Sequence, residues 1–247
     1  MNLLEARDLE KRYGGVHAVA GVSFSVAAGE RVALIGPNGA GKSTCFNLIG
    51  GQVRPDAGSV VLDGKPVTGM KPRALFRRGV ARTFQITATF ASMSVVENVQ
   101  AAIASHLGES FRPAGSATHA HRDAALALLA RVGLDAQSDR HCAQLAYGDS
   151  KRLELAMALA NAPRLLLMDE PTAGMAPGER HALMDLVTRL TASDGVSVLF
   201  TEHDMDIVFA HADRLLVLDR GRLIAQGAPS AVRADPEVQR IYLGGHA

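Results

Sequence analysis

The chain has 247 residues, of which 47% are hydrophobic and 21% are charged, and its formal net charge is +1. Disorder requires low hydrophobicity and high net charge, so this composition excludes a chain that is disordered throughout. The balance of 26 Lys and Arg against 25 Asp and Glu leaves no broad basic surface for electrostatic binding of nucleic acid. We therefore expect one large domain or two small ones, with a buried core and no nucleic-acid partner.

No stretch of the sequence predicts a membrane span or a signal peptide. The longest apolar runs, 124–130 and 165–168, are much shorter than the roughly 20 residues of a spanning helix. Acidic side chains near the start of the chain are not typical of a secretory leader. Cys45 and Cys142 fit neither a disulfide framework nor metal-ligand spacing, and they predict reduced thiols in a cytoplasmic protein. We expect any contact with a membrane to be made through a protein partner.

The first part of the chain has strand patterns around a glycine-rich loop. Apolar and polar residues alternate in short runs over 2–35, which predicts antiparallel strands. The last of these residues, 31–35, form an apolar run that predicts a buried strand. The glycine-rich segment 36–41 follows, with a helix predicted from Lys42 to about Gly50 and a short strand over 59–62.

The middle of the chain, from Ser94 to Asn161, loses these strand patterns and gains helical spacing of its apolar residues. Helices are predicted around 95–103, 124–132 and 153–159. The segment 108–120 is polar and rich in small residues, which predicts a loop between the first two helices.

Strands and helices alternate after Pro163. Strands are predicted over 165–168, 196–201 and 215–218. One helix is predicted over 177–191, and a second follows the strand 196–201 and ends at Ala210. Such alternation predicts a mostly parallel sheet with helices on both faces. The sequence therefore predicts an α/β fold in which a nucleotide-type core is interrupted by a helical segment.

The segment from Gly36 to Ser43 is a complete phosphate-binding motif between a predicted strand and a predicted helix. Glycines let the backbone wrap closely around phosphates, which then meet N–H groups and the start of the helix. In this pattern Lys42 neutralises the β- and γ-phosphates, and the Ser43 hydroxyl is a ligand of Mg²⁺. The predicted nucleotide-binding residues are Gly36, Pro37, Asn38, Gly39, Ala40, Gly41, Lys42, Ser43 and Thr44.

A second motif lies where the apolar strand 165–168 runs into Asp169 and Glu170. In a parallel sheet this arrangement places both carboxylates beside the phosphate-binding loop. Asp169 is predicted to hold Mg²⁺, directly or through water, and Glu170 to polarise the attacking water as general base. An apolar run before Asp-Glu is common by itself, but a phosphate-binding loop upstream favours the functional interpretation.

In their order along nearly the whole chain, these motifs resemble the ATP-binding subunit of ABC transporters. The resemblance implies the ABC ATPase fold, a P-loop NTPase core of mostly parallel sheet with an N-terminal antiparallel β subdomain and an inserted α-helical subdomain. It divides the chain into the first part of the core at 1–87, the helical subdomain at 88–162 and the second part of the core at 163–247. It also implies an ATP hydrolase that uses ATP and Mg²⁺.

The resemblance gives roles to residues that indicate little by themselves. Tyr13 matches an aromatic residue that stacks on adenine. Gln85 matches a glutamine that reaches Mg²⁺ at the entry to the helical subdomain, and His203 matches a switch histidine that contacts the γ-phosphate. The implied catalytic residues are Glu170, His203, Lys42 and Gln85, and the implied metal ligands are Ser43, Gln85 and Asp169.

The segment 145–149 stands at the signature motif of the family, just before a helix predicted from Ser150. In the family two subunits pack head to tail, and each signature helix points its N-terminus at the γ-phosphate bound by the other subunit. The resemblance thus implies a dimer. The residues implied to contact nucleotide across it are Ala146, Tyr147, Gly148 and Asp149.

The chain departs from the commonest family pattern at several positions. Ala146 lacks the hydroxyl that a signature serine would offer to the γ-phosphate, and Asp149 replaces the usual Gln or Glu. Ala176 stands near a position where many relatives carry an aspartate that communicates across the dimer. We expect these changes to affect coupling across the dimer and to leave nucleotide binding unaffected.

The Ala-Tyr-Gly signature and the segments 81–85, 202–205 and 241–244 resemble the larger ATPase subunit of branched-chain amino acid importers. This resemblance implies integral-membrane permease subunits and, indirectly, a solute-binding protein as partners, at the cytoplasmic face of the inner (plasma) membrane. It leaves open a homodimer or a heterodimer with a related ATPase subunit. Urea- or amide-uptake and lipopolysaccharide-export ATPases share part of the pattern.

Other functional classes are alternatives. A soluble ABC ATPase that acts on ribosomes or DNA would normally carry two cassettes or a long coiled-coil insertion, and this sequence has neither. A P-loop kinase or GTPase is disfavoured by the signature segment, by His203 and by the lack of a guanine-reading motif.

Apolar residues crowd the junction between Gln85 and the helical subdomain. They are Phe84, Ile86, Phe90, Met93 and Val96. Core packing accounts for part of this set, and the hypothesis is that the remainder line a groove for a short cytoplasmic helix of the permease.

Overall fold

The computed structural model describes residues 1–83, 89–109 and 121–243. Its strands are β1 (Asn2–Tyr13), β2 (Val16–Ala27), β3 (Arg31–Ile35), β4 (Ala57–Leu62), β5 (Lys65–Pro66), β6 (Val80–Thr83), β7 (Leu165–Asp169), β8 (Ser197–Thr201), β9 (Arg214–Asp219) and β10 (Arg222–Gly227). Its helices are α1 (Lys42–Ile49), α2 (Pro72–Phe76), α3 (Val95–Leu107), α4 (Arg122–Val132), α5 (Tyr147–Leu159), α6 (Pro177–Asp194), α7 (Met205–His211), α8 (Pro229–Ala234) and α9 (Pro236–Leu243).

The strands form two sheets. The six-stranded sheet has the order β10-β9-β3-β8-β7-β6, in which the pairs from β9 to β6 are parallel and β10 is antiparallel to β9. The four-stranded sheet, β2-β1-β4-β5, is antiparallel. The predicted mostly parallel core and antiparallel N-terminal sheet are therefore confirmed. One expectation was wrong: β3, grouped by its sequence with the antiparallel strands of 2–35, pairs in parallel with β8 and β9.

Alternate residues of the central strands face two different cores. In β3, Val32 and Leu34 pack with the antiparallel sheet and α1, whereas Ala33 and Ile35 pack with the helices of the opposite face. The residues of β7 alternate between the same two cores. Strands that are buried on both faces carry continuous apolar runs, which explains why these two strands were recognisable in the sequence.

Helices α3, α4 and α5 pack against one another. Ser94 and Glu97 form a capping box at the start of α3. The Glu97 N–H donates to Ser94 Oγ at 3.3 Å, and the Ser94 N–H donates to Glu97 Oε2 at 2.7 Å. The predicted apolar face of α3 is buried, and the helix ends at Gly108 in a left-handed conformation with φ of 78°. The predicted loop 108–120 lies almost entirely outside the described residues.

Some elements and boundaries differ from the expectation. Strands β5, β6 and β10 and the short helices α2, α8 and α9 were not predicted from the sequence. Helix α5 begins at Tyr147 instead of Ser150, because Ala146 already takes the extended conformation of an N-cap, with φ of −62° and ψ of 154°. Within the described ranges, none of the helices has the length and apolar character needed to cross a membrane.

Candidate nucleotide-binding site

The phosphate-binding loop joins β3 to α1 and is tightly packed on its inner side. A Cβ on Gly36 would lie 2.2 Å from the carbonyl oxygen of Leu218, and one on Gly41 would lie 2.3 Å from that of Ala18. Gly41 also has φ of 103°, which L side chains rarely adopt. At Gly39, with φ of 82°, no described atom lies within 4 Å of such a Cβ. The loop is therefore fixed against β2 and β9 on one side and open on the other.

Lys42, the first residue of α1, is 7% exposed. Its Nζ donates to the carbonyl oxygens of Gly36 at 2.6 Å and Pro37 at 3.1 Å. Burial lowers the pKa of Lys42, and the carboxylates of Glu170 and Asp169 oppose this shift. The ammonium group is thus held inside the loop, within electrostatic reach of both carboxylates.

The start of α1 presents groups that suit a phosphate. The first N–H groups of a helix have no partner within that helix, and they carry the positive end of its dipole. Ser43, in this first turn, is exposed, and Thr44 is half-buried. Together with the open side of the loop, this helix start is suited to bind an anion.

Asp169 ends β7 and is held by hydrogen bonds to both carboxylate oxygens. Oδ1 accepts from Thr201 Oγ1 at 2.8 Å, and Oδ2 accepts from Arg82 Nη2 at 3.1 Å. The other terminal nitrogen of Arg82, Nη1, donates to Asn47 Oδ1 at 2.9 Å. Arg82 therefore connects β6, the end of β7 and helix α1.

Glu170 and His203 form a close pair. Glu170 has φ of 48°, a left-handed conformation that is uncommon for a residue with a side chain. Its N–H lies 3.2 Å from the carbonyl oxygen of Thr201 and 3.1 Å from Thr201 Oγ1, which fixes this backbone. Glu170 Oε1 lies 2.8 Å from His203 Nε2, and the His203 side chain is 48% exposed. The pair is anchored at the end of β8 and faces solvent.

Tyr13 lies at the tip of the hairpin formed by β1 and β2. It pairs with Val16, and both side chains are exposed, at 48% and 65%. Two residues beyond Val16 in β2, the carbonyl of Ala18 packs against Gly41 of the phosphate-binding loop. An exposed aromatic ring thus lies on the strand pair that adjoins this loop.

The signature residues form the start of α5 and contact the loop that follows Glu170. The Tyr147 hydroxyl donates to the carbonyl oxygen of Ala173 at 3.0 Å. Gly148 lies beside α6, since a Cβ on it would be 3.2 Å from Glu179 Oε1. Asp149 accepts from Gln137 Nε2 at 2.9 Å. Among the described residues, no hydrogen bond joins 146–149 to 36–44 within the chain.

The structure brings Lys42, Asp169, Glu170 and His203 to the carboxyl ends of neighbouring strands. Gln85 lies outside the described residues, so its role stays a prediction. Sequence reasoning assigned no role to Arg82, Asn47 or Thr201. A signal for Arg82 was present in the sequence, because it is a charged residue in the segment 81–85 that leads to Gln85.

Comparison with known proteins decides the family. A family model described as "ABC transporter" matches residues 19–173, more than half of the chain. The chain belongs to the ABC transporter ATPase family. This ABC ATPase also matches, over residues 222–247, a model described as "Branched-chain amino acid ATP-binding cassette transporter".

Curated relatives resemble the ABC ATPase over its whole length. It is 38% identical over 249 residues to the high-affinity branched-chain amino acid transport ATP-binding protein BraF of Pseudomonas aeruginosa, covering 98% of both chains. It is 38% identical over 252 residues to the high-affinity branched-chain amino acid transport ATP-binding protein LivG of Escherichia coli K12, again covering 98% of both chains.

Solved structures confirm the predicted fold. The ADP conformation of an ATP-binding cassette of an ABC transporter is 34% identical to the ABC ATPase, with a TM-score of 0.87 and 99% coverage of both chains. A dimeric ATP-binding cassette in a post-hydrolysis state, bound to ADP and Pi, is 26% identical with a TM-score of 0.76, covering 92% of this chain and 98% of that one.

Proposed function

We propose that this ABC ATPase hydrolyses ATP to drive an importer of branched-chain amino acids. The observation that carries the proposal is the 2.8 Å contact between Glu170 Oε1 and His203 Nε2, beside Asp169 and the phosphate-binding loop. The substrate class is supported by the C-terminal family match at 222–247 and by the two relatives BraF and LivG, which are named as branched-chain amino acid transport proteins.

In this proposal the nucleotide lies along the open side of the loop. Backbone N–H groups of residues 36–44 bind the phosphates, and Lys42 turns from its carbonyl partners to the β- and γ-phosphates. Exchange of two neutral carbonyl acceptors for anionic oxygens strengthens its hydrogen bonds, because charge assistance favours the ion pair. Tyr13 stacks on the adenine ring at the hairpin tip.

The oxygen donors at the site fit Mg²⁺, which prefers oxygen ligands. The Ser43 hydroxyl is exposed at the start of α1, and the Asp169 carboxylate lies at the end of β7, within electrostatic reach of Lys42. We propose these two residues and Gln85 as the ligands, directly or through water. When bound, Mg²⁺ neutralises charge on the β- and γ-phosphates.

Glu170 is proposed to activate the attacking water. Its carboxylate accepts a proton as the water oxygen bonds to the γ-phosphorus and the bond from that phosphorus to the β-phosphate oxygen breaks. His203, protonated at Nε2, donates to Glu170 Oε1 and holds the carboxylate in position. We propose that the exposed ring of His203 also contacts the γ-phosphate of bound nucleotide.

We propose that the active unit is a dimer, as in the dimeric cassette to which the chain is similar. The signature residues 146–149 share no hydrogen bond with 36–44 in the described part of the chain, so the helix start at α5 is left to serve a second subunit. Its N–H groups would stabilise charge on the γ-phosphate of the partner's nucleotide. The partner subunit is a second copy of this chain or a related ATPase subunit.

Phe90 supports the proposed docking of a permease helix. Its side chain is 56% exposed, while its backbone is fixed by the buried Asn98, which accepts from the Phe90 N–H at 2.7 Å and donates to its carbonyl at 3.2 Å. Val96 is buried and belongs to the core. Phe84 and Ile86 lie outside the described residues. We propose that permease subunits hold the ATPase at the cytoplasmic face of the membrane and receive solute from a binding protein outside.

Uptake of labelled solute tests the function. A strain that lacks this gene should lose uptake of labelled leucine and keep uptake of labelled urea, and the wild-type gene should restore the loss while Lys42→Ala should not. Normal leucine uptake together with lost urea uptake would assign the chain to an amide importer and contradict the proposal.

Recovery of partners tests the permease contact. The tagged full-length chain, extracted from membranes in mild detergent, should bring down integral-membrane subunits. Phe90→Asp should abolish that recovery, and the apolar control Phe90→Leu should retain it. Recovery of ribosomal proteins in place of membrane subunits would favour the soluble class, and normal recovery with Phe90→Asp would contradict the docking surface.

A further inference from the structure

Glu202 is a buried carboxylate between two residues of the site. It is 5% exposed, and it lies between Thr201, which anchors Glu170, and His203. Its Oε1 accepts from the backbone N–H of Thr172 at 2.9 Å and from Thr172 Oγ1 at 2.6 Å. Its Oε2 accepts from the backbone N–H of His203 at 3.2 Å.

These bonds, together with the contact between Glu170 and His203, connect the two loops that carry the proposed catalytic pair. Glu170 and Thr172 lie on the loop from β7 to α6, and Glu202 and His203 lie on the loop from β8 to α7. The side chains of Glu170 and His203 join the loops on the solvent side at 2.8 Å. Glu202 and Thr172 join them on the buried side, where Thr172 is 1% exposed.

Burial of the Glu202 carboxylate costs free energy unless its two oxygens accept enough hydrogen bonds. A carboxylate removed from water needs charge-assisted hydrogen bonds to balance its lost hydration. Glu202 has three such donors, and one of them is the backbone of His203 itself. Because the His203 N–H bonds to the Glu202 carboxylate, the position of that carboxylate affects where the His203 backbone lies.

We propose that Glu202 is a positioning residue that sets the geometry of the Glu170–His203 pair, with Thr172 as its anchor. This inference rests on the proposed hydrolytic function. Most of the proposed nucleotide contacts lie on other elements, the β1–β2 hairpin, the loop after β3 and helix α1, so loss of Glu202 should lower turnover and change nucleotide affinity little. Misplacement of reacting groups by about 1 Å can cost about 10²-fold in rate.

Glu202→Gln changes the polarity of the contact while keeping its size. The amide oxygen can still accept from Thr172, but the amide N–H₂ then faces the His203 N–H, donor against donor. Thr172→Val removes the Oγ1 donor without changing the shape, and Thr172→Ser keeps it. Thr191→Val is the matched control, because Thr191 is also buried and, within the described part of the chain, its Oγ1 bonds only to the Thr188 carbonyl, at 2.8 Å.

The test measures turnover, affinity for fluorescent mant-ATP and the imidazole NMR signals of His203, assigned from a His203→Gln sample. We expect Glu202→Gln and Thr172→Val to lower kcat by about 10- to 10²-fold, to leave mant-ATP affinity within about twofold and to shift the His203 signals. Thr172→Ser should restore both kcat and signals, and Thr191→Val should leave both as in the wild type.

A purely structural tie predicts a different result. In that case Glu202→Gln and Thr172→Val would lower the melting temperature but leave kcat and the His203 signals unchanged, which would overturn the inference. If Glu202→Gln does not fold, the comparison of Thr172→Val with Thr172→Ser tests the inference by itself. Failure of the wild-type chain itself to hydrolyse ATP would instead overturn the proposed function.

Discussion

Arg82 Nη2 donates to Asp169 Oδ2 at 3.1 Å. Arg82 belongs to β6, the strand that leads to Gln85, and Asp169 is the carboxylate proposed to hold Mg²⁺. The two side chains are 11% and 17% exposed, and the guanidinium also reaches Asn47 on α1 at 2.9 Å. Burial lowers the pKa of Arg82, and Asp169 opposes that shift. The ion pair therefore fixes three elements around one carboxylate.

Removal of Arg82 should destabilise the fold. We expect Arg82→Gln to lower the free energy of unfolding by about 3 kcal/mol, because it leaves a mostly buried carboxylate without its charged partner. Arg82→Lys should cost less, since it keeps the charge but cannot bridge Asp169 and Asn47 together. Urea unfolding measures these differences. Arg164→Gln is the control, because its pair with Asp63 is 52% and 41% exposed and should contribute little to stability. Equal losses for Arg82→Gln and Arg164→Gln would contradict the role of burial.

Lys42→Ala should weaken nucleotide binding and spare the fold. A hydrogen bond to a charged group contributes about 1.5–3 kcal/mol, so we expect the dissociation constant for ATP to rise by about 10- to 10²-fold. Removal of the desolvated ammonium group offsets the loss of its hydrogen bonds to Gly36 and Pro37, so the melting temperature without nucleotide should change little. Calorimetric titration and thermal unfolding measure the two effects, with the exposed Lys65→Ala as control. Unchanged ATP affinity would exclude the assigned contact.

Cys45 should be unreactive in the folded protein. It lies in α1 directly behind the phosphate-binding loop, is 0% exposed, and burial raises the pKa of its thiol to about 12. Because the thiolate is the reactive form, a thiol reagent at pH 8 should label neither Cys45 nor the buried Cys142 until the chain unfolds. Counts of labelled thiols with and without denaturant check this. Rapid labelling of Cys45 in the native protein would show that the core behind the loop opens.

His211 should make the stability depend on pH below neutrality. It is 6% exposed on α7. Burial lowers its pKa, Asp185 opposes the shift, and His181 and Arg31 add to it. A lowered folded pKa means that the unfolded chain binds the proton more tightly, so stability is complete above the unfolded value of about 6.5 and falls as pH drops below it.

His211→Gln should remove this contribution, so its free energy of unfolding should fall less than that of the wild type between pH 7.5 and 5.5. Urea unfolding at the two pH values measures the difference. His141→Gln, at an exposed histidine, is the control for the substitution itself. Identical pH slopes for wild type and His211→Gln would contradict the assignment.

Local patterns were enough to predict the central elements of this site. The run 31–35 and the glycine-rich loop identify β3, the phosphate-binding loop and α1, because strand, turn and helix follow one another along the chain. The run 165–168 identifies β7 and its carboxylates in the same way. Site residues whose role depends on neighbours close in the sequence could therefore be identified from the sequence.

Contacts between distant segments could not be predicted. Strand β6 is only four residues long, and it is a strand because it pairs with β7, from Val80 with Leu165 to Thr83 with Met168. Its Arg82 meets Asp169 at a separation of 87 residues. The start of α5 was misplaced because Ala146 has no side-chain oxygen to mark a helix N-terminus. The Glu202–Thr172 tie likewise spans 30 residues.

We propose that Glu170, held by His203, activates water in a site completed by a second subunit. The most direct test is size-exclusion chromatography with light scattering of Glu170→Gln in ATP and Mg²⁺, together with its turnover. We expect a stable ATP-dependent dimer and a loss of hydrolysis of at least about 10²-fold, with the exposed Glu237→Gln behaving as wild type. A Glu170→Gln protein that stays monomeric and hydrolyses ATP at the wild-type rate would contradict it.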